Sequence, residues 1–89
     1  MGLHQDFKFE YEKRSDVERF LEDFSDSFMV DNHDGLFVIS GEAGAAFEFD
    51  ANIEDFGLRS NRSGEYFEFL GVFLERITGE FGAVLVEDV

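Results

Sequence analysis

"AAFEFDANIEDFGLRSNRSGE", residues 45–65, decides how this chain folds. In its first half Phe47, Phe49, Ala51 and Ile53 alternate with Glu48, Asp50 and Asn52. A strand with one face on a core and the other in water interleaves apolar and polar residues in this way. The second half, 55–65, is rich in Gly, Ser, Asn and Arg and reads as a loop. Ser60, Asn61 or Ser63 would cap the helix that follows.

Working back, "LFVIS" (36–40) is a short apolar run bounded by turn signals, so it predicts a strand, with "GEAG" (41–44) as its hairpin loop. "MVDNHDG" (29–35) carries turn chemistry. A short extra strand around Met29 to Asp31 is the alternative, and it would make the middle a three-strand meander. Residues 6–13 alternate Phe7, Phe9 and Tyr11 with Lys8, Glu10 and Glu12, a half-buried strand. Ser15 to Glu18 matches the capping box. Val17, Phe20, Leu21, Phe24 and Phe28 then follow at helical spacing, predicting an amphipathic helix of about 14 residues. Working forward, Phe67, Leu70, Leu74, Ile77 and Phe81 predict a second helix, widened by Tyr66, Phe69 and Phe73. Gly71 inside it suggests close packing, and Gly79 or Gly82 ends it. "AVLVEDV" (83–89) is a last strand. The order β-α-β-β-α-β predicts one α+β domain over 1–89. Two helices pack on one face of a mostly antiparallel sheet, ferredoxin-like or a close variant.

Composition narrows the function classes. Thirteen Phe and 44% apolar residues suffice for a core. The absence of Cys removes disulfides, thiolate zinc sites and thiol catalysis. The first residues lack the basic-then-apolar form of a signal peptide, and no apolar run reaches the roughly 18 residues of a membrane span. The expectation is a soluble cytoplasmic protein. Twenty-one acids against seven Lys and Arg leave a charge of −14. Such a surface repels nucleic acid and anionic membrane and attracts basic partners. General solubility and adaptation to high salt are the competing explanations, the latter favoured by two Lys against five Arg.

No catalytic constellation emerges, so the expectation is a non-enzyme with no cofactor and no metal. His4 and His33 are the only histidines, without a nucleophile–base–orienter set. Glu48 with Asp50, and Glu54 with Asp55, are carboxylate pairs of a kind this composition makes common. "DNHDG" (31–35) fails the EF-hand pattern, because Val30 and Gly41 occupy ligand positions. A hard-cation site at Asp31 and Asp34 is the lesser alternative to a solvated turn.

The sheet face away from the helices is the candidate surface. Strand 36–40 must turn either Leu36 and Val38 or Phe37 and Ile39 outward, beside outward acids. An apolar strip with a charged rim is how a protein-binding surface looks. The candidate partner-binding residues are Glu10, Glu12, Val38, Ile39, Glu48, Asp50, Glu54 and Asp55. Loop 54–63 folding across the strip is the alternative.

The segment "SNRSGEYFEFLGVFLERITGEFGAVLVEDV" (60–89) resembles the C-terminal pattern of small bacterial polymorphic-toxin immunity proteins. The residues that carry the resemblance are Tyr66, Phe67, Phe69, Leu70, Phe81, Gly82, Leu85, Val86, Glu87 and Asp88. It covers about a third of the chain and implies a small, acidic, cytoplasmic, non-catalytic protein that binds a toxin. Together these readings predict a domain that neutralises or masks a basic protein partner, such as a toxin, or that mimics nucleic acid in an enzyme's cleft. A homodimer closing its open sheet faces and a small metal- or ligand-binding domain at 31–35 are the alternatives.

Overall fold

The computed structural model describes residues 3–41 and 46–88. In chain order these form β1 (Leu3–Lys8), α1 (Arg14–Glu22), a 3-10 extension (Asp23–Asp26), β2 (Met29–His33) and β3 (Leu36–Ser40). Then come β4 (Phe47–Glu54), β5 (Gly57–Gly64), α2 (Phe67–Phe81) and β6 (Leu85–Asp88). All six strands join one antiparallel sheet in the order β2-β3-β4-β5-β1-β6. The α+β class and the two helices are as expected. The six-strand order differs from the ferredoxin-like arrangement, because two segments expected as turn and loop are strands.

The larger correction is β5, which occupies the middle of the sheet although its sequence is "GLRSNRSG". Neighbours on both sides, β4 and β1, satisfy its backbone, so the polar side chains need not be apolar to hold it. Alternate residues face the core: Leu58 is fully buried and Ser60 is 1% exposed. The Ser60 hydroxyl donates to the Gln5 carbonyl at 3.0 Å, which removes most of the cost of burying it. Gly57 sits at φ +140°, and a Cβ there would lie 2.2 Å from the Phe7 carbonyl oxygen. Loop 54–63 therefore does not fold across the open face; most of it is sheet.

The other added strand, β2, runs two residues further than the extra strand allowed for in the sequence. Only Asp34 and Gly35 form the turn, at φ 52° and 93°. Two positive φ angles make the two-residue turn whose twist suits a hairpin. The Asn32 carboxamide oxygen accepts from the Gly35 N–H at 3.0 Å.

Phe7, Phe37, Ile39, Phe49, Ala51, Ile53 and Leu58 form the sheet side of the core. Val17, Phe20, Leu21 and Phe24 meet them from α1 and its extension, and Phe69, Phe73 and Ile77 from α2. Phe73 lies at the centre, its ring within 6 Å of those of Phe7, Phe20, Phe24, Phe49 and Phe69. Aromatic contacts of this kind are worth about 0.5–1.5 kcal/mol each beyond the area they bury.

The helix ends depart from expectation. α1 starts at Arg14 after Lys13 with no side-chain cap, so Ser15 and Glu18 fall inside the helix and form no capping box. It stops at Glu22, where the 3-10 extension takes over and keeps Phe24 buried. Ser60, Asn61 and Ser63 are locked in β5 and cap nothing; α2 begins after Tyr66. Gly79 lies within α2, which ends at Gly82. Gly71 is exposed, and an added Cβ would meet nothing within 4 Å, so close packing does not explain it. The 42–45 part of the expected hairpin loop lies outside the described residues.

Candidate functional site

Strand register fixes which side chains share the face away from the helices. Inward and outward residues alternate along each strand, and paired residues lie on the same side. Asp31 pairs with Val38, Val38 with Asp50, Asp50 with Asn61, and Asn61 with His4, forming one row across five strands. A second row runs His33, Leu36, Asn52, Arg59, Asp6, Glu87. A third carries Met29, Ser40, Glu48 and Ser63. The strand alternation thus turns Leu36 and Val38 outward and sends Phe37 and Ile39 into the core.

The two halves of this face differ in charge. On the β5–β1–β6 half each cation is paired. Arg59 makes a bidentate bridge to Asp6, with N···O distances of 2.9 and 3.0 Å, and Lys8 bridges Glu87. The Arg59 hydrogen bond, then its charge and that of Lys8, outweigh burial and hold the Asp6 carboxyl below its ordinary pKa. Both cations lie close to the Phe56 ring, Lys8 Nζ 5.9 Å and the Arg59 guanidinium carbon 5.6 Å from its centre.

On the β2–β3–β4 half no Lys or Arg is present among the described outward residues. Asp31, Glu48, Asp50 and Glu54 share it with Leu36, Val38 and Met29, the last 54% exposed. Asp50 is half-buried, and its Oδ1 has no hydrogen-bond partner among the described residues. Burial, reinforced by the Glu48 charge, pushes its pKa up. Across the ladder the Asn61 Oδ1 is likewise buried without a donor. Two acceptors side by side beneath a negative surface favour an incoming donor, above all a cationic one.

The candidate residues fall into three places. Val38, Glu48 and Asp50 stand together on the acidic half, with Glu54 at its margin, where the Glu54 carbonyl accepts from the Tyr11 hydroxyl at 2.7 Å. Glu10 and Glu12 lie past the end of β1, which stops at Lys8 rather than running to residue 13. They line a shallow cleft of about 690 Å³ with Asp55 and Phe56 at one end of the sheet. Ile39 is fully buried and takes no part in a surface. The turn residues Asp31, His33 and Asp34 are exposed, and no group of three or more His, Cys, Asp or Glu suited to a metal occurs among the described residues.

Three features escaped the sequence reading. Arg59, Asn61 and Ser63 belong to the outward face because β5 is a strand. Arg62 points the other way: it is 6% exposed, with its guanidinium carbon 4.8 Å from the Tyr66 ring centre. On the helix side, Phe28, Phe47, Phe67, Phe69 and Val72 line an apolar cleft of about 820 Å³ at the start of α2. Phe67 there is 75% exposed, although helical spacing put it on the apolar stripe.

Comparison with protein-family models, with curated proteins and with solved structures returns no match to this chain. No helix among the described residues is long and apolar enough to cross a membrane.

Proposed function

We propose that the chain is a non-catalytic binding domain that masks a basic protein through the β2–β3–β4 half of its open sheet face. The observation that carries this is the segregation of charge. Asp31, Glu48, Asp50 and Glu54 form no salt bridge among the described residues and surround Leu36, Val38 and Met29, while the cations of the other half are bound to acids of their own. The acids would steer a basic partner into encounter, and the apolar strip would supply the contact that persists once water leaves. A toxin domain is the partner class we favour, as the immunity-protein resemblance implies; a nuclease whose cleft receives this acidic face is a special case. The work would take place in the cytoplasm.

Self-association through the same face would set Glu48 and Asp50 against like charges, so salt separates the readings. Light scattering after size exclusion, at about 0.05 and 0.5 M salt, spans weak and strong screening. The proposal expects a monomer at both. A dimer at both, or at the higher salt alone where like charges are screened, would assign the face to self-association. With a basic protein retained on the immobilised chain and then purified, association should slow at least about tenfold between those salts. The pair of substitutions Glu48→Lys and Asp50→Lys should abolish binding. Unchanged affinity in that variant would refute the proposed face.

A further inference from the structure

We propose that the free edge of β2 accepts an extended cationic segment of the partner as a seventh strand. This rests on the basic-partner reading and specifies how such a partner docks. Among the described residues β2 has a single sheet neighbour, β3. The turn closes on His33 and Leu36, so His33, Asp31 and Met29 direct their backbone groups to β3. The alternation of an antiparallel ladder then points the N–H and C=O of Val30 and Asn32 outward, with no backbone partner among the described residues.

Edge strands are ordinarily blunted by Lys, Pro, a bulge or a cover. Here residues 29–33 contain neither Lys nor Pro, and the register with β3 is continuous from Met29 to His33. Met29, Asp31 and His33 are exposed on the acidic side of the strand. The other edge, β6, is four residues long and has its Glu87 engaged by Lys8. Asp31 identifies the occupant. Pairing two copies of β2 antiparallel over all five residues would set Asp31 directly against its counterpart, a destabilising like-charge pair. A strand presenting Lys or Arg opposite Asp31 removes that penalty. The body that carries it would extend over Leu36, Val38, Glu48 and Asp50.

The test uses the full chain labelled with nitrogen-15 and, as the probe, a blocked peptide of about seven residues alternating Lys and Val, the length of an added strand. Backbone amide exchange is read with and without peptide at low salt. The expected result is at least about tenfold slower exchange at Val30 and Asn32, the two outward amides. Asn32→Pro, which deletes one outward N–H, should weaken the peptide at least about tenfold, while Asn32→Ala, which loses only the side-chain bond to the Gly35 N–H, should leave it nearly unchanged. A peptide that shifts Val38 and Asp50 but leaves exchange at Val30 and Asn32 unchanged overturns the edge site and leaves the basic-partner reading standing. No binding at low salt overturns both. Equal binding of a Glu and Val peptide overturns the cationic occupant.

Discussion

Replacing Leu58 with Ala tests the placement of β5 directly. Leu58 pairs with Phe7 on one side and Ile53 on the other, and all three are buried beneath the helices. Leu→Ala at such positions costs about 2.7–5.0 kcal/mol, more where the surroundings cannot collapse into the space. Flanked by two laddered strands, this site has little freedom to close, so a loss of about 3–4 kcal/mol is expected. A chain of 89 residues is typically stable by about 4–13 kcal/mol, so the substitution removes a large share of the total. With an m-value of roughly 1–1.5 kcal/mol/M in urea, the midpoint should fall by about 2–4 M. Urea unfolding followed by far-ultraviolet circular dichroism measures it, with Asn52→Ala on the exposed face as the control, expected within about 0.5 kcal/mol. A loss below about 1 kcal/mol for Leu58→Ala is what a surface loop would give, and it would remove β5 from the centre of the sheet.

Two glycines should respond with opposite sign. Gly57→Ala forces a Cβ to within 2.2 Å of the Phe7 carbonyl at φ +140° and should destabilise, whereas Gly71→Ala, with open space around it in α2, should stabilise by about 0.8–1.0 kcal/mol; thermal melts of the two decide it. Two aspartates should also oppose each other across pH. Asp6 has a lowered pKa, so its contribution is present above the ordinary carboxylate value and lost as pH falls through the depressed one; Asp6→Asn should abolish that part of the acid sensitivity. Asp50 has a raised pKa, so stability is lost as pH rises through it, and Asp50→Asn should raise the melting temperature at pH 7 while leaving it little changed near pH 3.

The elements that were legible in the sequence are those whose periodicity came from burial on one side only. β4 alternates because its Glu48 and Asn52 meet water, and both helices carry their Phe at turn spacing. β5 was hidden for the opposite reason. Its inward positions are Leu58, Ser60 and Arg62, and only one of them is apolar. Ser60 is tolerated because its hydroxyl donates a hydrogen bond to the Gln5 carbonyl; Arg62 sets its guanidinium carbon 4.8 Å from the Tyr66 ring centre, while its Nε and Nη1 meet no hydrogen-bond partner among the described residues. The Gln5 carbonyl comes from a strand 55 residues away, so no window around 57–64 contains the reason that Ser60 is accepted there. β2 was obscured by composition: Asp, Asn and His favour turns, yet an edge strand with its outward residues in water accepts them without penalty.

The same physics governs how much of the candidate face could be read. Acidity alone marked Glu48 and Asp50, and the strand register then joined them to Val38. The placement of β5 reorganised the rest. As a loop, 54–63 would have covered the strip; as a strand, it brings Arg59 opposite Asp6 and neutralises the neighbouring half. The acidic half is therefore defined by where the cations are bound as much as by where the acids lie. Arg59→Ala frees Asp6 and spreads uncompensated charge across the face, so a basic partner should associate faster at low salt but lose its preference for the β2–β4 half. Stopped-flow association with the wild-type and Arg59→Ala chains measures the first effect, and peptide-induced shifts along β1 measure the second. An unchanged association rate would mean that the segregation of charge does not guide encounter, leaving the apolar strip to account for binding alone.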